Sequence, residues 1–238
     1  MNFALILSGG IGRRMGSSIP KQYSIVKDRQ IIDYCLEAFN ESSVIDAIVV
    51  VASMQWQGQI NVSGILKFQG FALDGSSRQH SILNGLEKIK SLGCSNDDCV
   101  IIHDAVRPNI SEELINSCIN ELAGYDGVMP VLPMKDTIYQ SIDSMRISNL
   151  LNRNELYAGQ SPESFRFGSY YELNKRLTEE QLSLIHGSSE IAIQNGLAVH
   201  IIPGDEHNYK ITTPFDLERF RREKENSTDN IHSDGFYV

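Results

Sequence analysis

The chain has 238 residues, of which 41% are hydrophobic, 21% charged and 8% aromatic. That is too much apolar surface for a disordered polypeptide and enough length to bury a core without disulfide or metal staples. The formal charge of −9 argues against a protein that coats nucleic acid or an anionic membrane, since both reward clustered positive charge.

Residues 3–8 (FALILS) are a short continuous apolar run ending in Gly9-Gly10, the pattern of a buried parallel strand entering a loop. A helical pattern covers 29–40. Residues 44–52 (VIDAIVVVA) repeat the buried-strand signature, and 65–73 give a weaker one. Residues 78–92 read as an amphipathic helix with Ile82, Leu86 and Ile89 on one face. VIIH at 100–103 is the next strand, then comes a helix over 111–124 entered at Ser111, then a strand over 127–133. This alternation predicts right-handed βαβ units and an α/β fold with a mostly parallel sheet.

Between about 138 and 157 the segments become short, polar and weakly alternating, which predicts a protruding β-arm of the kind that reaches a second subunit. Helical pattern resumes over 168–182 and 188–195. The strand AVHIIPG and a last helix from Pro214 to about Lys224 follow. The expected organisation is one domain over 1–224 and a polar, disordered tail over 225–238. Cys35, Cys94, Cys99 and Cys118 show no CxxC spacing and sit in or beside apolar segments, the pattern of buried thiols in a reducing compartment. The start lacks a basic signal-peptide region, and no window approaches the 18 apolar residues of a membrane span, so a cytoplasmic location is expected.

The chemistry-bearing residues begin at LSGGIGRRMGSSIPKQY, residues 7–23. No acid occurs in the first 27 residues, which hold Arg13, Arg14, Lys21 and Lys27. Glycines after a strand let backbone N–H groups approach phosphate oxygens, and the cations supply the charge a triphosphate demands. Leu7, Ser8, Gly9, Gly10 and Gly12 are thus the candidate phosphate loop, a solvated Gly-rich turn being the competing reading. Two familiar phosphate loops fail. No Lys-Ser/Thr pair follows the glycines as a P-loop requires. A dinucleotide fingerprint would need glycine where Met15 stands and an acid where Ala52-Ser53 stand, which also disfavours a dehydrogenase.

Together with DGSSRQHSILNGL (74–86), HDAVRP (103–108), KDTIY (135–139), NRNELYAGQSPESF (152–165) and NYKITTPFDL (208–217), this segment resembles the cytidylyltransferases that attach CMP to 2-C-methyl-D-erythritol 4-phosphate or to ribitol 5-phosphate. The resemblance covers about residues 3–222. It implies a three-layer, Rossmann-like nucleotidyltransferase fold, CTP with Mg²⁺, and a homodimer joined through the arm. It also implies that Gly75 and Ser81 read the cytosine beside Ser76 and Arg78, although composition alone suits helix capping there. Asp104, at the end of a central strand, is implied at the nucleotide or its Mg²⁺, against a bare-sequence alternative of a loop Asp bonding backbone amides. Arg107, Asp136, Thr137 and Arg153 match acceptor-contacting positions, Arg153 acting either in its own subunit or across a dimer. Lys210 matches a lysine placed against the phosphates at the reaction centre; Arg14 and Lys21 are expected to stabilise the crowded phosphorus while Arg153 and Lys210 orient the attacking phosphate, and His103 reads as structural.

The stretch LYAGQSPESF and the run over Tyr171 to Gln181 look closer to the ribitol-phosphate branch, so D-ribitol 5-phosphate is the first acceptor expected and 2-C-methyl-D-erythritol 4-phosphate the alternative. His186-Gly187 stands where the isoprenoid branch has a Thr-Asp pair, and Ser76-Ser77 replace an acid usual in that stretch. An inactive nucleotide-binding paralogue is the non-enzyme alternative, opposed by the joint presence of Arg14, Lys21, Asp104, Arg153 and Lys210.

Overall fold

In the computed structural model, residues 1–10 and 19–232 are described. The first apolar run forms β1 (Asn2–Leu7), and a short hairpin of β2 (Ile25–Val26) and β3 (Arg29–Gln30) leads into α1 (Ile31–Glu41). Asp33 accepts the Gln30 N–H at 2.8 Å, closing a capping box at the start of α1. β4 (Ala47–Val51), a single turn of helix α2 (Met54–Gln57), β5 (Phe68–Ala72), α3 (Arg78–Ser91), β6 (Cys99–Asp104), α4 (Glu112–Asn120) and β7 (Gly127–Pro133) follow.

β1 lies parallel between β4 and β6, with Leu7 opposite both Val51 and Asp104. The chain first builds β4 and β5 on one side of β1, then crosses to place β6 on the other. The carboxyl ends of β1 and β6 therefore flank a topological switch point, where open α/β sheets bind ligands.

Alternate strand residues explain the layers. Ala4, Ile6, Ile48, Val50 and Ile101 face α1 and α4, meeting Leu36, Phe39, Ile115 and Cys118. Phe3, Leu5, Val49, Val51, Val100 and Ile102 face the opposite side, meeting Ile82, Leu86 and Ile89 of α3. All of these are buried, each large aliphatic side chain contributing about 1.5–3 kcal/mol. The four cysteines are free and buried, as expected, and burial pushes each thiol up from its ordinary value.

The second half departs from the expected pattern. β8 (Tyr139–Gln140) and β9 (Asn149–Leu150) make an exposed antiparallel hairpin inside the segment read as an arm. β10 (Tyr157–Gly159) and β11 (Glu163–Arg166) then run antiparallel to β7, and β11 also pairs antiparallel with β6. The sequence reading missed both, because each is short and Gln160-Ser161-Pro162, with a cis Ser161–Pro162 bond, interrupts the alternation.

The helix expected over 168–182 is two, α5 (Phe167–Lys175) and α6 (Glu179–Leu184). Thr178 caps the second by accepting Gln181 N–H, an interior start signal that periodicity overrides. α7 (Ser188–Gln194) and β12 (Val199–Pro203), parallel to β7, precede α8 (Pro214–His232). α8 continues past the expected end at Lys224, since no proline or glycine interrupts the chain between Pro214 and Gly235. Residues 233–238 of the expected tail lie outside the described residues. Among the described residues, no helix is long and apolar enough to cross a membrane.

Candidate active site

Three segments converge at the switch point: the loop after β1, the entrance to α3, and the end of β6. Gln22 donates to Ser8 O at 2.6 Å and Gly10 O at 2.8 Å, while the Tyr23 hydroxyl bonds Ser8, so a buried amide and phenol fix the first loop from beneath. Glycine is required at two places. A Cβ on Gly9 would sit 2.4 Å from Asp74 Cβ, and one on Gly75 2.5 Å from His80 Cγ. Ser77 caps α3 by accepting His80 N–H at 3.1 Å. Ser81 Oγ accepts Gly75 N–H at 2.9 Å, and Ser76 Oγ lies 3.1 Å from His80 Nδ1. Capping and loop closure are thus shared among these hydroxyls.

α3 carries Arg78 in its first turn and aims it at the end of β6. Arg78 Nε and Nη2 donate to Asp104 Oδ1 at 3.3 and 3.1 Å, and Lys210 Nζ donates to Oδ2 at 2.8 Å. Asp104 is only 8% exposed. Burial alone would raise its carboxyl, but the adjacent Arg78 and Lys210 charges outweigh that and hold it well below the usual carboxylate range.

Two cavities meet at this cluster. The first, about 570 Å³, is lined by Leu7, Gly9, Gly10, Lys21, Gly75, Ser76 and Ser81 together with Arg78, Asp104 and Lys210. The second, about 490 Å³, shares those last three residues and adds Arg107, Gln160, Ser161, Glu163, His186 and Gly187. Arg107 Nη1 donates to Asn208 O at 2.7 Å, but its buried Nε has no hydrogen-bond partner among the described residues. Burial lowers the pKa of Arg107 from its ordinary value.

His103 is structural, as expected. Its Nε2–H donates to Arg107 O at 3.0 Å, which leaves Nδ1 to accept from Ser161 Oγ at 3.4 Å, and burial pushes its pKa down to about 4. Ser161 Oγ in turn accepts the Asp104 N–H at 3.1 Å.

The expected grouping of Arg153 with Lys210 does not form within one chain. Arg153 lies in a 3₁₀ turn between β9 and β10, where Nη1 donates to Lys135 O at 3.0 Å. It lines a separate hollow with Thr137, and Asp136 is on the same exposed segment. The extended chain between β7 and β10 carries all three away from β6. Gly12 and Arg14 lie outside the described residues.

Sequence reasoning gave no role to Gln22, Asp74, Ser188 or Glu163. Glu163 is in phase with buried Phe165 on β11, but that strand is held by its pairing with β6 and β7, so no local signal marked the residue.

A mostly parallel sheet with a crevice at its switch point, and a cation-flanked carboxylate shared by two adjoining cavities, make up an α/β nucleotidyltransferase fold. Residues 3–221 match the IspD family, 2-C-methyl-D-erythritol 4-phosphate cytidylyltransferase, and the chain belongs to that family. The fold is also that of the 2-C-methyl-D-erythritol 4-phosphate cytidylyltransferase of Francisella tularensis (TM-score 0.79, 23% identity, covering 93% of this chain and 99% of that one). It is similarly that of the 4-diphosphocytidyl-2C-methyl-D-erythritol synthase of Anaerococcus prevotii (TM-score 0.77, 23% identity, 94% and 96%). The 2-C-methyl-D-erythritol 4-phosphate cytidylyltransferase of Thermus thermophilus is a third likeness (TM-score 0.71, 21% identity, 93% and 98%). The chain is accordingly a cytidylyltransferase enzyme. The acceptor in these names is the one that the sequence reading ranked second.

Proposed function

We propose that the enzyme transfers CMP from CTP to the phosphate of a small alditol phosphate, 2-C-methyl-D-erythritol 4-phosphate first among them, releasing pyrophosphate. The observation that carries this reading is the pair of cavities sharing Arg78, Asp104 and Lys210: a donor in one and an acceptor in the other would meet at that wall. The family match favours methylerythritol phosphate. Ribitol 5-phosphate is kept as a second acceptor because Gln160, Ser161 and Glu163, from the stretch that resembles the ribitol branch, line the second cavity.

A phosphate monoester, with a second pKa near 6, is largely dianionic at neutral pH and needs no general base. One of its oxygens attacks the α-phosphorus in line as the bond to the bridging oxygen breaks, and that oxygen leaves on pyrophosphate. Backbone N–H groups after β1 with Lys21 and Arg14 balance charge on the nucleotide phosphates, while Lys210 and Arg107, which line the second cavity, receive the incoming phosphate.

No group of three or more His, Cys, Asp or Glu residues that could hold a metal occurs among the described residues. Asp104 lines the first cavity together with one other carboxylate, Asp74. That donor set fits an ion such as Mg²⁺, which takes one or two carboxylates and completes its shell from waters and substrate phosphates. Bound there, it would neutralise charge developing on the triphosphate.

The hairpin exposes Tyr139, Ile142, Met145, Ile147 and Leu150. A second copy of the chain is proposed to cover them, bringing Arg153 to the partner's acceptor cavity.

The test is pyrophosphate release measured with each of the four nucleoside triphosphates against methylerythritol, ribitol, arabinitol, glycerol and mannitol phosphates. CTP-dependent release with one alditol phosphate is expected, and the preferred acceptor decides between the two readings. No release with any pair would refute the function.

A further inference from the structure

A second carboxylate stands behind the reaction centre. Glu163 on β11 is 7% exposed, and its Oε2 accepts from Ser189 N at 3.0 Å and Ser189 Oγ at 2.5 Å. Its Oε1 lies 4.0 Å from Arg78 Nη2. Arg78 Nη1 donates to Ser188 Oγ at 2.6 Å, the residue next to the one Glu163 holds. The guanidinium is therefore held between Asp104 and Ser188, with Glu163 facing it. The helix that supplies Ser188 and Ser189 begins at Gly187, which offers no side-chain cap, so its anchor comes from the neighbouring strand. Burial works against the Arg78 charge, and Asp104 and then Glu163 more than offset it. Asp104 and Glu163 face Arg78, Lys210 and Arg107, so losing the Glu163 charge would leave the wall between the cavities more positive by one unit.

We propose that Glu163 is a positioning residue for cytidylyl transfer: it anchors Ser188–Ser189 and opposes Arg78, keeping the guanidinium on Asp104 and off the bound phosphates. The assignment rests on the transfer reaction described above. Without the Glu163 charge, Arg78 swings toward polyphosphate, so ground-state binding of phosphates tightens while the arrangement for transfer is lost. A residue that only supported the fold would lower stability without that opposite movement of binding and turnover.

The test compares wild type with Glu163→Gln, Glu163→Gln/Gly187→Asp and Glu163→Gln/Gly187→Asn. Gly187 has an extended backbone, and a Cβ there meets nothing within 4 Å, so either side chain can cap the helix, but only Asp returns the charge. Glu163→Gln is expected to lower kcat at least tenfold with KM for CTP unchanged or lower. It should also raise the Tm increment given by inorganic pyrophosphate above that of wild type. The Asp double variant should recover kcat at least threefold, while the Asn double variant recovers only Tm. Wild-type kcat and an unchanged pyrophosphate increment in Glu163→Gln, or equal kcat rescue by Asn and Asp, would overturn the proposal. Should Glu163→Gln not fold, Ser189→Ala replaces it, with the same direction in kcat expected and wild-type kcat overturning the proposal. The pyrophosphate increment is read without turnover, and wild-type pyrophosphate release is scored separately, so failure of the transfer reaction is distinguishable from failure of this assignment.

Discussion

His103 makes acid stability a quantitative test of the site's scaffold. The imidazole is buried beside Asp104, with Nε2–H on Arg107 O and Nδ1 on Ser161 Oγ. Protonating Nδ1 would turn Ser161 away and so disturb the hydroxyl that also receives the Asp104 N–H. Burial lowers the pKa from an ordinary 6.5 to about 4. The unfolded chain therefore binds a proton below about pH 6.5 that the folded chain refuses until about pH 4. In that window the unfolded state carries more protons, so stability falls as the pH falls. The full shift corresponds to about 3 kcal/mol, of which about 2 kcal/mol is lost by pH 5. For a domain of this size that is roughly 4–8 °C in Tm. Thermal unfolding followed by circular dichroism at pH 7 and pH 5, for wild type and His103→Gln, isolates the contribution from other titrating groups. The glutamine amide can still donate to Arg107 O but does not titrate, so the variant should lose less Tm on acidification by that amount. Equal losses in the two proteins would refute a neutral, buried imidazole at this position.

Asp104→Asn should lower stability by roughly 2–3 kcal/mol, after discounting for the partial exposure of Arg78 and Lys210, and abolish measurable turnover; an unchanged Tm would contradict the paired carboxylate. Lys21→Ala and Arg14→Ala should each reduce kcat by about 2.7–4 kcal/mol of transition-state stabilisation, the range for a lost oxyanion donor; steady-state kinetics with unchanged kcat would remove them from the reaction centre. Arg153→Ala should raise the acceptor KM roughly 10–100-fold. Mixing it with Lys210→Ala should restore part of the activity if Arg153 acts across a dimer, and additive inactivity would place it in its own subunit or nowhere near the site.

Much of the first half was legible because burial on both faces leaves a plain signature. FALIL, AIVVV and CVIIH are continuous apolar runs, and each became a parallel strand. Asp104 stood at the end of such a run, where a loop Asp bonding backbone amides was as good a reading, and only the family resemblance pointed it at the nucleotide. β10 and β11 were illegible: Tyr157–Gly159 and Glu163–Arg166 are held by pairing with β7 and β6, a tertiary fact that local pattern does not contain. The same holds for Glu163, whose partners come from α3 and α7, and for Gln22, whose amide bonds carbonyls 12 and 14 residues earlier. Arg153 was identified by motif, but its distance from Lys210 within one chain depends on the path of the hairpin.

The sheet joins β6 to β7 through β11, four residues that come after both in the chain. On the ribosome, every earlier strand of the sheet can emerge while the facing edges of β6 and β7 remain open. Nascent chains stalled before residue 163 would present unpaired apolar strand edges, a template for association with other chains. The same late strand delivers Glu163 to Arg78, so sealing the edge also adds the second carboxylate to the wall between the two cavities, which Ser188 and Lys210 complete only later in the chain.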